Sequence, residues 1–302
     1  MNAFEEFSLA TEEEIIGVVS LRWGRQFRAV HTLADRPGEC RVLDLESEGE
    51  RLVAKAAADG RSRFRYAQLQ RLWTATRACQ VLKIAEPYFV DVEADIVVTS
   101  LLPARAAHHV PSLNDATQIG RALAELHSLG ADEGAVTATV TDDVASLVRP
   151  APTDLARELP RHAKLIGQAV ELLLSVEIPS HVTRVHRDFH LRQVLIARDG
   201  VGVVDWDDAA NGDPAFDVAY FLTYLETHHH CLSLSDAFML GYREAVSTPQ
   251  DDKFEFRLAD YRIFNLLRRA ARRSRVRDAG WEDELERMLH ELGLAMESRV
   301  AA

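Results

Sequence analysis

The stretch that most constrains this chain runs from Val185 to Asp208 and reads V-H-R-D-F-H-L-R-Q-V-L-I-A-R-D-G-V-G-V-V-D-W-D-D. Two apolar runs, Val194 to Ala197 and Val201 to Val204, flank the dipeptide Asp199-Gly200. That dipeptide tolerates the positive φ angles of a tight reversal, so the segment predicts a hairpin. A turn centred on Asp199 pairs Gln193 with Asp205; a two-residue Asp199-Gly200 turn pairs Gln193 with Trp206. Either register brings Gln193 beside Asp205 and leaves Asp188 in the loop just before. An amide oxygen and two carboxylates then share one neighbourhood. Such hard donors suit Mg²⁺, which takes a few protein oxygens and completes its shell with phosphates and water. A surface hairpin ending in polar residues carries the same local pattern, so the flanking sequence must decide.

The first third reads as strands: Arg28 to Leu33, Arg41 to Leu45 and Arg51 to Ala56, with turn formers from Ala34 to Glu39 between the first two. A helical stretch from Phe64 to Leu82 follows, then strands near Tyr88 to Val92 and Asp95 to Leu101. Beyond Pro103 the pattern is helical. Ile119, Leu123 and Leu126 recur at helical spacing, and Gly130 sits where a helix would be capped. Residues 131–160 read as a loop with a short helix. Further helices are predicted at His162 to Leu174, Pro214 to Glu226, Ser235 to Val246, Phe254 to Arg275 and Trp281 to Ser298. The division expected is residues 1–103 as a β-rich nucleotide-binding part and residues 104–302 as a mainly helical part for catalysis and acceptor binding.

Bulk properties exclude several classes. The net charge of -12 opposes nonspecific binding to nucleic acid. The acidic start, Met1 to Glu14, is unlike a secretory signal, and no apolar run reaches the roughly 20 residues that span a bilayer. Three cysteines, Cys40, Cys79 and Cys231, fit a reducing cytoplasm rather than a disulfide framework. Only Lys55, Lys83, Lys164 and Lys253 among the 35 basic residues are lysines. A lysine kept in so arginine-rich a chain suits a site that wants a compact point charge on a phosphate, which weighs against reading Lys55 simply as a surface lysine at a strand end.

Taken in order, these motifs resemble the aminoglycoside phosphotransferase and choline kinase family. The residues that carry the resemblance are Ile119 to His127, His186-Arg187-Asp188, Gln193, Asp205-Trp206-Asp207 and Gly212-Asp213-Pro214-Ala215-Phe216-Asp217-Val218-Ala219. The resemblance implies an α+β, bilobal protein-kinase-like fold with a small β-rich N-lobe and a larger helical C-lobe. It also implies roles from the general phosphoryl-transfer template. Asp188 would accept or orient the proton of a substrate hydroxyl. Asp205 and Gln193 would hold Mg²⁺, and Lys55 would meet the phosphates of ATP, with GTP as the other possible nucleotide. The implied partner is a small-molecule hydroxyl acceptor: a sugar, an amino alcohol or an antibiotic.

Three features depart from the family pattern. Gln193 stands where most relatives carry Asn. No Asp or Glu occurs between Arg61 and Gln80, so the helix carboxylate that should pair with Lys55 is missing; Tyr66, Gln68 and Gln70 are neutral substitutes. The turn between the first two strands holds only Gly38, unlike the glycine-rich loop of protein kinases.

The remaining candidates have simpler readings. Asp207 and Asp208 read first as loop acids, with Asp207 the better candidate for a direct role. Asp213-Pro214 reads as a helix start, and Asp217 as a brace for the catalytic loop, pairing with Arg187. His186 reads as architectural. His228-His229-His230-Cys231 and His108-His109 lack the spacing of a metal site. The eight arginines between Phe254 and Arg277 form a solvated face or the edge of an acceptor pocket. The leading reading is an ATP-dependent small-molecule kinase. A pseudokinase or nucleotide-binding regulator is the alternative, and an atypical protein kinase a third, opposed by the absence of Asp-Phe-Gly at Asp205.

Overall fold

The computed structural model describes residues 8–108, 111–139, 152–176, 182–229, 231–247, 253–277 and 279–301. In chain order the elements are α1 (Glu12–Trp23), β1 (Arg28–Arg36), β2 (Cys40–Ser47), β3 (Glu50–Ala57), α2 (Ser62–Thr76), β4 (Leu82–Lys83), β5 (Pro87–Asp91), β6 (Ile96–Ser100) and β7 (Arg105–Ala106). Then come α3 (Leu113–Ser128), α4 (Pro152–Glu158), α5 (Ala163–Leu174), β8 (Thr183–Val185), a 3-10 turn (Leu191–Gln193), β9 (Val194–Ala197) and β10 (Gly200–Val203). The chain finishes with β11 (Ala210–Gly212), α6 (Pro214–His229), α7 (Leu232–Ala245), α8 (Phe254–Val276) and α9 (Trp281–Ala301). The fold is α+β, as expected. The chain forms two compact units: Met1–Arg105 with Leu195–Asp207, and Ala106–Val194 with Asp208–Ala302. It crosses from one to the other three times, where the sequence suggested a single cut.

The first unit is built on an antiparallel five-stranded sheet in the order β1-β2-β3-β6-β5. Strand β3 shows why. Leu52, Ala54 and Ala56 are fully buried and alternate with Val53 and Lys55, so a period of two sends Lys55 to the face opposite the core. The core face is covered by α1, whose Ile15 and Val19 pack with Leu43, Leu45, Leu52 and Val98. Sequence reading missed α1, although its start carries a capping box: Thr11 N–H donates to Glu14 Oε2 at 2.7 Å, and Glu14 N–H to Thr11 Oγ1 at 3.3 Å.

Helix α2 ends at Thr76 and not at Leu82 as the sequence suggested. Thr76 turns its hydroxyl back onto the carbonyls of Leu72 and Trp73, and buried Leu82 enters β4, which pairs parallel with β10. The other end of α2 is held in trans. Asp95, buried in the β5–β6 turn, accepts N–H bonds from Gly60 at 2.9 Å and Ser62 at 2.8 Å, and a carboxylate there complements the helix dipole.

The predicted hairpin is β9–β10, but its turn is Arg198-Asp199, one residue earlier than expected. Gly200 is already in β10. A Cβ at Gly200 would overlap the Val81 carbonyl oxygen, and Val201 N–H donates to that same oxygen at 2.8 Å. The glycine therefore serves the close approach of β10 to the chain entering β4, not the turn.

In the second unit α3 and α7 cross at very short range. A Cβ at Gly120 would strike the Phe238 carbonyl, and one at Gly241 the Thr117 carbonyl. That crossing brings Tyr242 of α7 to His127 of α3, with the hydroxyl 2.8 Å from His127 Nδ1. Helix α6 lays Phe216 against Tyr261 and Phe264 of α8. Among the described residues, no helix is long and apolar enough to cross a membrane.

Candidate active site

In the first unit Lys55 meets two carboxylates that follow β10. Its Nζ donates to Asp205 Oδ1 at 2.7 Å and to Asp207 Oδ2 at 2.8 Å. Burial alone would lower the Lys55 pKa, but Asp207 and Asp205 more than offset it and hold it above the ordinary lysine value. Asp205 adopts a left-handed φ of 63°, a conformation that costs energy in a non-glycine residue and tends to collect at functional loops.

Helix α2 supplies a cation where the family pattern has an acid. Arg65 Nε donates to Asp207 Oδ2 at 3.0 Å, and its two terminal nitrogens grip Asp59 at 2.7 and 2.6 Å. Burial opposes the charged form, yet Asp59 and Asp207 raise the Arg65 pKa above its ordinary value. The result is a chain of alternating charge, Asp205–Lys55–Asp207–Arg65–Asp59. Asp207, read from sequence first as a loop acid, is its centre. The neutral substitutes suggested for the missing acid bond elsewhere: Tyr66 to the Tyr88 carbonyl and Gln68 to the Trp206 carbonyl, both at 3.1 Å. At Gln70 it is the main-chain carbonyl that accepts the Thr74 hydroxyl. What the sequence concealed was that the helix contributes an arginine acting through Asp207.

In the second unit the His186-Arg187-Asp188 loop hangs from Asp217. Its carboxylate accepts the backbone N–H groups of His186 and Arg187, each at 2.7 Å. Asp217 is fully buried, and His127 Nε2 lies 3.3 Å from its Oδ2. The expected brace is present, but it grips the loop backbone and not the Arg187 guanidinium, which lies 5.8 Å from the centre of the Phe216 ring. His186 is wholly buried, and its Nδ1 accepts the Asp188 N–H at 3.3 Å, in line with an architectural role. Asp213 starts α6 as expected, accepting the Ala215 N–H at 3.0 Å, and is paired with buried Arg257 at 2.6 Å.

The Asp188 carboxylate is held from several sides. Tyr220 O–H donates to Oδ1 at 2.9 Å, and Gln193 Nε2 to Oδ2 at 3.1 Å. His190 Nε2 stands 3.5 Å from Oδ2 and Arg268 4.0 Å from Oδ1. Burial, aided by the Asp188 charge, pushes the Tyr220 phenol well above its usual pKa, so it stays a donor. Burial outweighs Asp188 at His190 and lowers that imidazole to about 4. Tyr220 went unseen in the sequence, although Phe216, Tyr220 and Tyr224 at i, i+4 and i+8 mark one helix face.

Among the described residues, no three His, Cys, Asp or Glu side chains gather as a metal cage. His228 instead stacks on Tyr224 at 4.0 Å between ring centres; His109 and His230 lie outside the described residues. The donors present in the first unit are carboxylate oxygens, three acids against two cations in the Lys55 chain. That chemistry fits Mg²⁺, which is usually held by one or two protein carboxylates with phosphates and water completing the shell.

Residues 41–257 match the model of the phosphotransferase enzyme family. No curated protein matches the sequence. Solved structures with the same fold include the aminoglycoside phosphotransferase APH(4)-Ia, at 15% identity, TM-score 0.68, and coverage of 95% of this chain and 99% of that one. A spectinomycin phosphotransferase in complex with ADP and spectinomycin has 12% identity and TM-score 0.63, covering 95% and 98%. A putative fructosamine-3-kinase from Thermobifida fusca has 18% identity and TM-score 0.61, covering 93% and 99%. With most of its length matched by the family model, this chain belongs to the phosphotransferase enzyme family, the small-molecule kinases of protein-kinase-like fold.

Proposed function

We propose that the protein is an ATP-dependent phosphotransferase that moves the γ-phosphate to a hydroxyl of a small molecule. The observation that carries this reading is the Lys55–Asp205 contact at 2.7 Å. It joins a strand lysine to an acid 150 residues later, and Asp205 holds a left-handed backbone angle of the kind that collects at functional loops. Lys55 would neutralise phosphate charge, and Asp205 with the Gln193 amide oxygen would hold Mg²⁺. The ion would supply charge neutralisation on the phosphates when bound.

Asp188 would orient the acceptor hydroxyl and take its proton as the oxygen attacks phosphorus. One O–P bond forms, the bridging bond to the β-phosphate breaks, and ADP leaves with the electron pair. The Tyr220 hydroxyl and the Gln193 amide leave the Asp188 carboxylate little freedom to rotate, which suits a group whose work is positioning. Spectinomycin, hygromycin and fructosamine are named for the structural relatives, and they support a small hydroxylated acceptor here.

The test is Mg²⁺-dependent nucleotide turnover, with ATP and GTP in parallel, across sugars, amino alcohols and antibiotics. Asp188→Ala is expected to lower kcat by about a thousandfold or more while nucleotide binding persists. If Asp188→Ala keeps most of the wild-type turnover, the assignment of Asp188 fails. If nucleotide raises the melting temperature and no acceptor stimulates turnover, the protein is a nucleotide-binding regulator instead.

A further inference from the structure

The arginines of α8 are sorted by whether a carboxylate meets them. Arg257 pairs with Asp213, Arg262 with Glu226 at 3.0 Å, and Arg273 with Glu284. Arg268 and Arg269, both half-buried, differ. Arg268 lies over the Tyr220 ring at 5.4 Å from its centre, and its only carboxylate among the described residues is Asp188, at 4.0 Å. Arg269 lies over Tyr224 at 5.9 Å and reaches the His228 ring nitrogens at 3.2 and 3.4 Å. Among the described residues it has no carboxylate partner, and its Nε is buried without a hydrogen bond. Burial pulls its pKa below the ordinary arginine value, while Glu284, which pushes the other way, is engaged by Arg273.

Leaving a guanidinium half-buried and unneutralised is costly when carboxylates serve its neighbours on the same helix. The cost is understandable if an anion arrives from outside. A planar guanidinium binds a carboxylate or phosphate through paired N–H bonds, and the tyrosine rings beneath Arg268 and Arg269 fix the direction of each fork. Tyr220 joins this surface directly to the reacting group, since its hydroxyl donates to Asp188.

We propose that Arg268 and Arg269 bind a carboxylate or phosphate group of the acceptor, so that the substrate is an acid-bearing alcohol and not a polycationic aminoglycoside. The same pair would repel amines at this surface. The inference deepens the phosphotransfer reading and rests on it for turnover, although not for binding.

The experiment uses the full chain and separates those two. Melting temperature is measured with glycerate, gluconate and glycerol 3-phosphate, with neutral glycerol and glucose, and with cationic choline and kanamycin, each with and without ATP. Turnover is then measured with the same compounds. Anionic alcohols are expected to protect the wild-type protein and to give the highest kcat/KM. Arg268→Gln and Arg269→Gln should each weaken that protection about tenfold or more in apparent Kd. Arg269→Lys should restore part of it, and Arg272→Gln, an exposed position on the same helix, should change nothing. Protection by choline or kanamycin above the anionic set overturns the inference. So does an absence of protection by every anionic probe, or protection that survives both glutamine variants. Competition between the anionic probes and ATP would assign the two arginines to nucleotide phosphates and overturn it as well. A lack of turnover with every compound, while anionic probes still protect, counts against phosphotransfer and leaves the anion site supported.

Discussion

Asp217 holds the backbone of Arg187 in place: its Oδ1 accepts the Arg187 N–H at 2.7 Å, and Arg187 carries a left-handed φ of 67°. A non-glycine residue at that angle persists only when its surroundings over-determine it. The second oxygen does the same for His186, and His127 with Tyr242 stands behind. Asp217→Asn removes one acceptor and the charge. The expected result is a fall in kcat of about tenfold or more, with nucleotide KM changed by less than about threefold, since charge-assisted bonds contribute about 1.5–3 kcal/mol. Steady-state kinetics at saturating acceptor check it.

Arg65 reaches Lys55 only through Asp207, so its effect should be read in nucleotide binding. Arg65→Gln is expected to raise nucleotide KM about fivefold or more and to reduce the melting-temperature gain from Mg²⁺-ATP. Arg65→Lys should recover only part, because one ammonium cannot serve Asp207 and both oxygens of Asp59 together. Equal behaviour of the two variants would remove the fork from the explanation.

The buried Asp213–Arg257 pair predicts a dependence on pH. Burial raises the Asp213 pKa in spite of Arg257, so Arg257→Met should raise it further and destabilise the fold by about 3–5 kcal/mol near neutral pH. A carboxyl whose folded pKa lies above its unfolded value favours the folded state below the unfolded pKa. That contribution is lost as pH rises through the folded pKa. The variant should therefore recover stability relative to wild type as pH falls from 7 toward 5. Parallel denaturant titrations at both pH values check the sign.

Two helix glycines should respond to alanine in opposite directions. Gly241→Ala drives a methyl into the Thr117 carbonyl at the α3–α7 crossing and is expected to cost about 2–4 kcal/mol. Gly293 in α9 has open space around its missing Cβ. Gly293→Ala should stabilise by about 0.5–1 kcal/mol through helix propensity. Thermal melts of the two variants suffice.

Much of the fold was legible because its signals are local. Alternating Leu52, Ala54 and Ala56 declared β3, and the Asp213-Pro214 step declared the start of α6. Pairings across long sequence distance were not. Nothing near Leu82 announces that it joins a parallel ladder with Val201, so α2 read as too long. Asp199-Gly200 signalled reversal correctly, but the same glycine answered a steric demand from Val81, which shifted the turn. At the candidate site, Asp188 and Asp205 were singled out by motif, whereas Arg65 and Tyr220 required the packing of separate helices, and only packing separates Arg268 from the other arginines of its helix. A vacant position for an acid can be noticed in a sequence; the reversal of charge that replaces it needs coordinates.

The return of Leu195–Asp207 to the first unit also bears on synthesis. Chains are made from the N-terminus, and domains tend to fold as they emerge. Here the opening hundred residues leave the ribosome before β10 exists to pair with β4, and Lys55 waits 150 residues for Asp205. A ribosome stalled after the strands of the first sheet and before residue 205 would present a nascent sheet whose Lys55 lacks both Asp205 and Asp207, a form that chaperones and proteases would meet in place of the finished protein.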